Sequence, residues 1–441
     1  MTHEFQPALQ EQFENLKSHL NADRLQDLLF SLTDIHSPTG SAGPICEWLV
    51  NHLQGHGVDA KFLPFAGESG AGLATLPGKG PGANLLLYAP IDTHLEGDET
   101  DYPWTGPAPT VDTQPRAVRE GDWVYGLGSS NPKAMVATLT EIMICAKETG
   151  WELPGTLTLG FADGGMPVDI GARQHGGMSN GIFHLLNRGG MPDFCIVMKP
   201  WNWVYHEEPG MAWFKITVRG TLGYAGVPRG TPGFRSSIVP AAQLILDLEE
   251  WLPRYTERHT SGIVRPDGWI SAVRAGWPER PAFPSAATEI YFDVRVNPRC
   301  PPAQVRAEFA EFMAEMRSKH PDLECDWEMY GSVAGGSTDP ENWIIQSARR
   351  GWEEIEGRPY PAEPDLLGGQ TDGSLLRAMG VPTARMGWPW PAEGSPLQVA
   401  EGLGGMGATY IPDLLPCAQK IMYAVVDTCA RPRQDTICTD I

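Results

Sequence analysis

Asn84-Leu85-Leu86-Leu87-Tyr88-Ala89-Pro90-Ile91 is an almost wholly apolar run that stops abruptly at Asp92-Thr93-His94. Its length suits a strand covered on both faces better than a buried helix. Two further runs repeat the pattern: Thr156 to Ala162 gives way to Asp163-Gly164-Gly165, and Asp193 to Met198 gives way to Lys199. Helical spacing lies between them, at 131–148 (Ala134, Met135, Thr138, Leu139, Ile142) and at about 171–188. Buried strands alternating with amphipathic helices predict an α/β layer, with a mostly parallel sheet and helices on both faces. In such sheets ligands gather beyond the carboxyl ends of the strands, so Asp92, His94, Asp163 and Lys199 are predicted to converge.

Working outward, residues 7–34 and 43–55 carry helical spacing, separated by the stop Ser37-Pro38-Thr39-Gly40. The pattern changes at Glu208-Pro209-Gly210. There follow a strand (Ala212 to Val218), a helix (Ser237 to Trp251), strands at about 268–276 and Thr288 to Val296, a helix (Pro302 to Lys319) and a strand (Glu324 to Val333). That order is a β-α-β-β-α-β, ferredoxin-like unit. Gly335-Gly336-Ser337 marks its exit, after which helix 341–357, strand 382–387 and a helix at about 411–430 resume the first pattern. The reading is a discontinuous α/β domain, 1–208 and 335–441, with an inserted α+β domain, 209–334.

The 441 residues are 41% hydrophobic, enough for two cores. A net charge of −21, with no basic run, argues against nucleic acid and anionic membrane as partners. Cys46, Cys145, Cys195, Cys300, Cys325, Cys417, Cys429 and Cys438 lie far apart, with no C-x-x-C pair and no signal peptide ahead of them, which predicts reduced thiols in the cytoplasm. No apolar run approaches the length of a membrane span.

A fourth wall for the strand-end site is predicted from Gly368-Gly369-Gln370-Thr371-Asp372-Gly373, where glycine permits close approach and Thr371 and Asp372 can cap a helix. Asp92-Thr93 followed by Trp104, Tyr125-Gly126-Leu127-Gly128, Asp293-Val294-Arg295 in the inserted domain, and Gly369-Gln370-Thr371-Asp372 occur in an order and domain context that resembles the di-zinc aminoacylase, acetylornithine deacetylase and succinyl-diaminopimelate desuccinylase metallopeptidases. The resemblance spans essentially the whole chain and implies an amide-hydrolase scaffold with a lid or dimerisation domain.

It also implies a ligand set that this sequence does not carry. The first His of the family pattern is Pro90, the bridging Asp is Asn131, the base Glu is Gly164, its neighbour is Gly165, and the later acid is Lys199. The late His falls at Leu397 to Glu401, where no histidine occurs. Proline and glycine offer no donor and an ammonium repels a cation, so no metal cofactor is expected at these positions. The segment Gly220 to Gly226 resembles the place of an oxyanion-binding His, and Tyr224 stands there, to donate a hydrogen bond to an oxyanion or to pack at an interface.

Asp92 needs a partner if buried, and Lys199 is its predicted counter-ion, with His94 next. Acid–base work would fall to Asp92 and His94, with Asp163 as a substitute base. Ser130-Asn131-Pro132-Lys133 matches the Ser-x-x-Lys pattern of serine acylases, and equally reads as an N-cap (Asn131) and first helical residue (Pro132), with Asn131 and Lys133 facing a ligand. His206, Glu207 and Glu208 are candidates for a relocated metal or for a junction cluster. Trp201, Trp203, Trp388 and Trp390 are candidate aromatic walls or ordinary packing.

Three functions fit. One is a metal-independent enzyme acting on a small amide, lactam or N-acyl compound through Asp92, His94, Lys199 and Tyr224. A second is a non-catalytic protein that binds a small molecule or regulates a partner. The third is a hydrolase with a relocated metal. A homodimer through the inserted domain accompanies the family resemblance.

Overall fold

The structure, a computed structural model, describes residues 7–169, 173, 177–228, 230–361, 368–389 and 406–436. The chain separates into two compact units, one of Met1–His206, Thr338–Glu363 and Thr371–Ile441, the other of Glu207–Ser337 and Pro364–Gln370. The boundaries fall at 206/207 and 337/338, against 208/209 and 334/335 in the sequence reading.

The larger unit holds strands β1 (Asp59–Pro64), β2 (Gly70–Leu76), β3 (Leu85–Pro90), β4 (Val118–Glu120), β5 (Trp123–Tyr125), β6 (Leu157–Ala162) and β7 (Phe194–Met198). The smaller holds β8 (Glu207–Glu208), β9 (Gly210–Arg219), β10 (Gly268–Ala275), β11 (Ala287–Val296), β12 (Cys325–Val333) and β13 (Gly336–Ser337), and the chain returns with β14 (Thr383–Met386) and β15 (Ala408–Tyr410). The helices used below are α1 (Pro7–His19), α2 (Ala22–Asp34), α3 (Gly43–Gly55), α4 (Tyr102–Thr105), α5 (Met135–Glu148), α6 (Asn180–Leu185), α7 (Ile238–His259), α8 (Pro302–Lys319), α9 (Trp343–Glu356) and α10 (Gly373–Ala378).

One six-stranded sheet, in the order β1-β2-β6-β3-β7-β14, forms the larger unit's centre. β6, β3, β7 and β14 run parallel, with Tyr88 opposite Gly160 on one side and Val197 on the other. Side chains of β3 alternate between two cores: Leu85, Leu87 and Ala89 join α5 and the C-terminal helix Leu414–Cys429, while Leu86 and Tyr88 meet Ile182, Leu185 and Val197. Each fully buried Leu contributes about 1.5–3 kcal/mol. That two-sided burial is why the run carries no charged residue before Asp92.

The β1–β2 hairpin is antiparallel and extends the sheet beyond β6. Small residues there are a packing requirement: a Cβ at Gly72 would fall 2.1 Å from the Phe161 ring. Helix 7–34 divides at Asn21, whose side chain accepts from Arg24 N–H at 2.9 Å and starts α2. The helix read at 131–148 begins at Met135, and that read at 171–188 is α6 within the described residues.

In the smaller unit the sheet order is β10-β11-β9-β12, antiparallel throughout, with α7 and α8 in the β-α-β-β-α-β sequence. β11 buries every second residue, Ile290, Phe292, Val294 and Val296 among them, the period of a sheet with one covered face. Phe214 stacks on Phe292 at 5.1 Å and packs on Phe309 at 4.6 Å. Phe292→Ala would cost about 3–5 kcal/mol. The seven described cysteines are buried and unbonded, while Cys438 lies outside the described residues. Among the described residues no helix is long and apolar enough to cross a membrane.

Candidate active site

Two buried carboxylates stand side by side beyond β3 and β6. Asp92 accepts the Thr39 hydroxyl at 2.7 Å and the backbone N–H groups of Gly165 and Met166 at 3.0 and 3.2 Å. Asp163 accepts the N–H groups of Gly40 and Ala42, both at 2.9 Å. One turn, leading into α3, therefore ties both acids. The turn is itself fastened to the exit of β3, with Thr39 N–H on the Thr93 carbonyl at 2.9 Å and Thr93 N–H on the Ser37 carbonyl at 2.8 Å. Burial, reinforced by the negative Asp163, pushes Asp92 up to about 7, against the downward pull of its three donors.

The Asp92–Lys199 ion pair predicted from sequence is not formed. Asp92 finds its donors in Thr39 and in the backbone after β6, and the buried Lys199 ammonium donates instead to Asn131 Oδ1 at 3.0 Å. Asn131 has an extended backbone (φ −124°, ψ 106°), its side-chain oxygen accepts from Lys199 and caps no helix, and its N–H and that of Ser130 bond the Met406 carbonyl at 3.1 and 3.0 Å. Its Nδ2 reaches Met406 Sδ at 3.0 Å. Positions 131 and 199, which the resemblance makes metal-ligand positions, thus meet as an amide and an ammonium.

Positions 90 and 165 meet as well. A Cβ on Gly165 would lie 2.3 Å from Pro90 Cβ and 2.7 Å from Asp372 Oδ2, so glycine lets the loop after β6 close on the end of β3. Asp372 accepts the Tyr88 hydroxyl at 2.8 Å, and burial with this negative neighbour holds the phenol well above its ordinary range. Thr371 Oγ1 accepts Gly373 N–H at 3.0 Å at the start of α10. Asp372 and Thr371 belong to the larger unit, whereas the half-buried Gly369 belongs to the smaller one, and the wall read over 368–373 is divided.

His94 is half-buried, edge-on to Trp104 with ring centroids 6.0 Å apart. Lys133 does not face a ligand. Its ammonium donates to the Ile35 and Thr33 carbonyls at 2.7 and 3.5 Å at the end of α2, and burial lowers it to about 7, with Asp34 opposing. The Ser130–Lys133 dyad is accordingly absent. Trp388 is 1% exposed inside the main core, so it packs rather than lines a site. Trp201 lies over the Arg385 guanidinium at 5.1 Å, with Tyr205 at 5.0 Å from the same group.

The division between units runs between His206 and Glu207. The His206 carbonyl accepts Thr338 N–H at 2.8 Å. Glu207 is committed to Arg299 at 2.7 Å and to Ile263 N–H at 2.7 Å, which makes it an anchor of the smaller unit. Tyr224 is 57% exposed and packs on Phe283 at 5.8 Å, near a 500 Å³ cavity lined by Leu222, Trp277, Arg280 and Phe283. Trp390 and the segment 397–401 lie outside the described residues.

Sequence reasoning missed Thr39, Met406 and Arg173. Arg173 binds Glu96 at 2.6 Å and also donates to the Thr39 carbonyl, bracing the turn that holds both acids. The one available signal was Ser37-Pro38-Thr39-Gly40, read only as a helix stop.

No protein-family model matches the chain. Among solved structures it is similar to human carnosine dipeptidase 1 (12% identity, 97% of this chain and 100% of that one, TM-score 0.70). It is similar also to a tripeptidase from Staphylococcus aureus (16%, 92% and 99%, 0.65). A third is an M20 family metallo-carboxypeptidase from Sulfolobus solfataricus (12%, 92% and 99%, 0.64). At these identities the likeness is one of fold, and the chain has the mixed α/β fold of the M20 metallopeptidases.

Proposed function

We propose that the protein is a metal-independent amidohydrolase-like enzyme acting on a small amide, lactam or N-acyl compound at the strand ends of the larger unit. The observation that carries this reading is the Lys199 Nζ to Asn131 Oδ1 contact of 3.0 Å. It puts a fixed positive charge at positions that the resemblance assigns to zinc ligands. The donor set does not fit a zinc pair, because Pro90, Gly164 and Gly165 have no ligating atom and Gly165 is closed against Pro90.

In this reading the Lys199 ammonium and the Asn131 amide stabilise negative charge developing on the carbonyl oxygen. His94 takes a proton from the attacking water and returns it to the leaving nitrogen. Asp92 and Asp163 hold the loops in place and do not react. The test is hydrolysis of a panel of N-acyl amino acids and lactams in EDTA. Turnover that survives chelation and falls at least about 100-fold in Lys199→Met and His94→Gln supports the proposal. Turnover that needs added metal sinks it.

A second reading, a small-molecule-binding protein without turnover, is favoured by the saturation of Asp92 and Asp163 with fixed donors. Lys199-dependent binding of a carboxylate-bearing amide with no product would select it. The relocated-metal reading loses Glu207 to Arg299. Seven buried, unbonded cysteines support a reducing compartment, the cytoplasm. For assembly we infer a homodimer through the smaller unit, whose edge strand β10 exposes Trp269 (74%) and Val273 (49%) and whose helix α7 exposes Val239 and Leu246. Light scattering should give twice the chain mass, and Trp269→Glu should return it to the monomer.

A further inference from the structure

We propose that His259, Cys300 and Glu308 form a zinc site within the smaller unit. His259 ends α7, Cys300 lies two residues before α8, and Glu308 lies in the second turn of α8, so the three join two helices that share one core. One ligand atom from each comes within 4.8 Å of the others. His259 and Cys300 are buried, and the Glu308 side chain is 13% exposed.

Zinc bonds to N, O and S of ~2.0–2.3 Å place tetrahedral donors ~3.3–3.8 Å apart. The His259 Nε2 to Glu308 Oε2 separation of 2.8 Å is a hydrogen bond, and an ion entering there replaces the shared proton and widens the pair by about 0.5 Å. Cys300 closes the third corner by a side-chain movement of about 1 Å. The thiol gives its proton to solvent, Nε2 is freed by passing its proton to solvent from an imidazolium or by the shift of a neutral ring to the Nδ1–H tautomer, and the three ligands bind as neutral imidazole, thiolate and carboxylate.

Imidazole with thiolate selects a borderline-soft ion over magnesium or calcium, and two anionic ligands balance its two charges. The carboxylate is oriented by its own partners, Gln304 Nε2 on Oε1 at 3.0 Å and Arg258 Nη1 on Oε2 at 2.9 Å, as ligating carboxylates are. The Arg258 side chain is 56% exposed and stays as an outer donor. The Tyr255 ring, 4.6 Å from the His259 ring, limits its rotation. The fourth position is left for water or a small anion.

The test is titration of the full chain, freed of metal by dialysis against EDTA and then buffer, with Zn²⁺ and Co²⁺. One equivalent should bind, and the cobalt form should show thiolate-to-cobalt charge-transfer absorption. Cys300→Ser should abolish that absorption and weaken zinc binding by more than about 100-fold, and Glu308→Gln by about 10-fold. Far-UV circular dichroism checks folding, and if Cys300→Ser is unfolded, His259→Asn decides on the same readouts. No stoichiometric binding by the wild type, or unchanged affinity in a folded Cys300→Ser or His259→Asn chain, would overturn the assignment.

Discussion

Beyond β3 and β6 the buried charge is negative and is held by the backbone, whereas beyond β7 it is positive and is held by a side chain. Asp92 and Asp163 together take four backbone N–H groups and one hydroxyl. Lys199 donates a hydrogen bond to the side-chain amide of Asn131, carried on a separate loop. A carboxylate bound by rigid N–H groups cannot be withdrawn without opening the turn, so it has become part of the fold. An ammonium on a long stem that meets a neutral amide can turn toward an anionic ligand without opening a turn of the backbone. Stability should therefore be read at the acids and recognition at the lysine.

The largest effect is expected in the pH dependence of stability. Asp92 has a folded-state value of about 7, above the ordinary unfolded value, so between those values the native chain holds a proton that the unfolded chain has released. Its contribution is full below about pH 4 and is lost as pH rises through about 7, on the order of 4 kcal/mol in all. Urea unfolding from pH 4 to 8 should show a falling stability that flattens in Asp92→Asn. An unchanged slope in the variant would break the contrast at its acidic side.

Next in size, Asp163→Ala should lower unfolding free energy by about 3 kcal/mol, because two N–H groups lose a charged acceptor in the interior. Lys199→Met sharpens the comparison from the other side. It should weaken binding of a carboxylate-bearing amide about 30-fold, near 2 kcal/mol, while unfolding free energy moves by less than about 1 kcal/mol. Isothermal titration with the ligand and urea unfolding of the same variant separate the two. A Lys199→Met chain as destabilised as Asp163→Ala would mean that both charges are structural.

The parts of this arrangement that were legible in the sequence are those set by side-chain pattern. The runs ending at Ile91, Ala162 and Met198 announced parallel strands because both faces are buried, and the β-α-β-β-α-β order after Glu208-Pro209-Gly210 announced the second sheet. The hairpin Asp59–Pro64 and Gly70–Leu76 escaped because its glycines answer to ring packing, Gly70 to Phe62 and Gly72 to Phe161 far along the chain. The partner of Asp92 was misread for a related reason. A list of side chains offers only Lys199 and His94 as counter-ions, whereas Gly165 and Met166 act through backbone N–H groups that no residue type encodes. Lys133 likewise reads as a site residue until its ammonium is seen closing the end of α2.

Thr39→Val is the smallest change and the most discriminating. The hydroxyl is nearer Asp92 Oδ2, at 2.7 Å, than the Thr93 carbonyl, at 3.1 Å, so its hydrogen serves the carboxylate. A bond to a charged acceptor is worth about 1.5 kcal/mol, and a bond to a protonated acid about half that. The loss on substitution should thus be near 1.5 kcal/mol at pH 8 and about half that at pH 5. Because the Thr39 bond pulls Asp92 downward, its removal should also shift the pH midpoint of the stability profile upward. A loss equal at both pH values would assign the hydroxyl to the Thr93 carbonyl instead, leaving Asp92 held by the backbone alone.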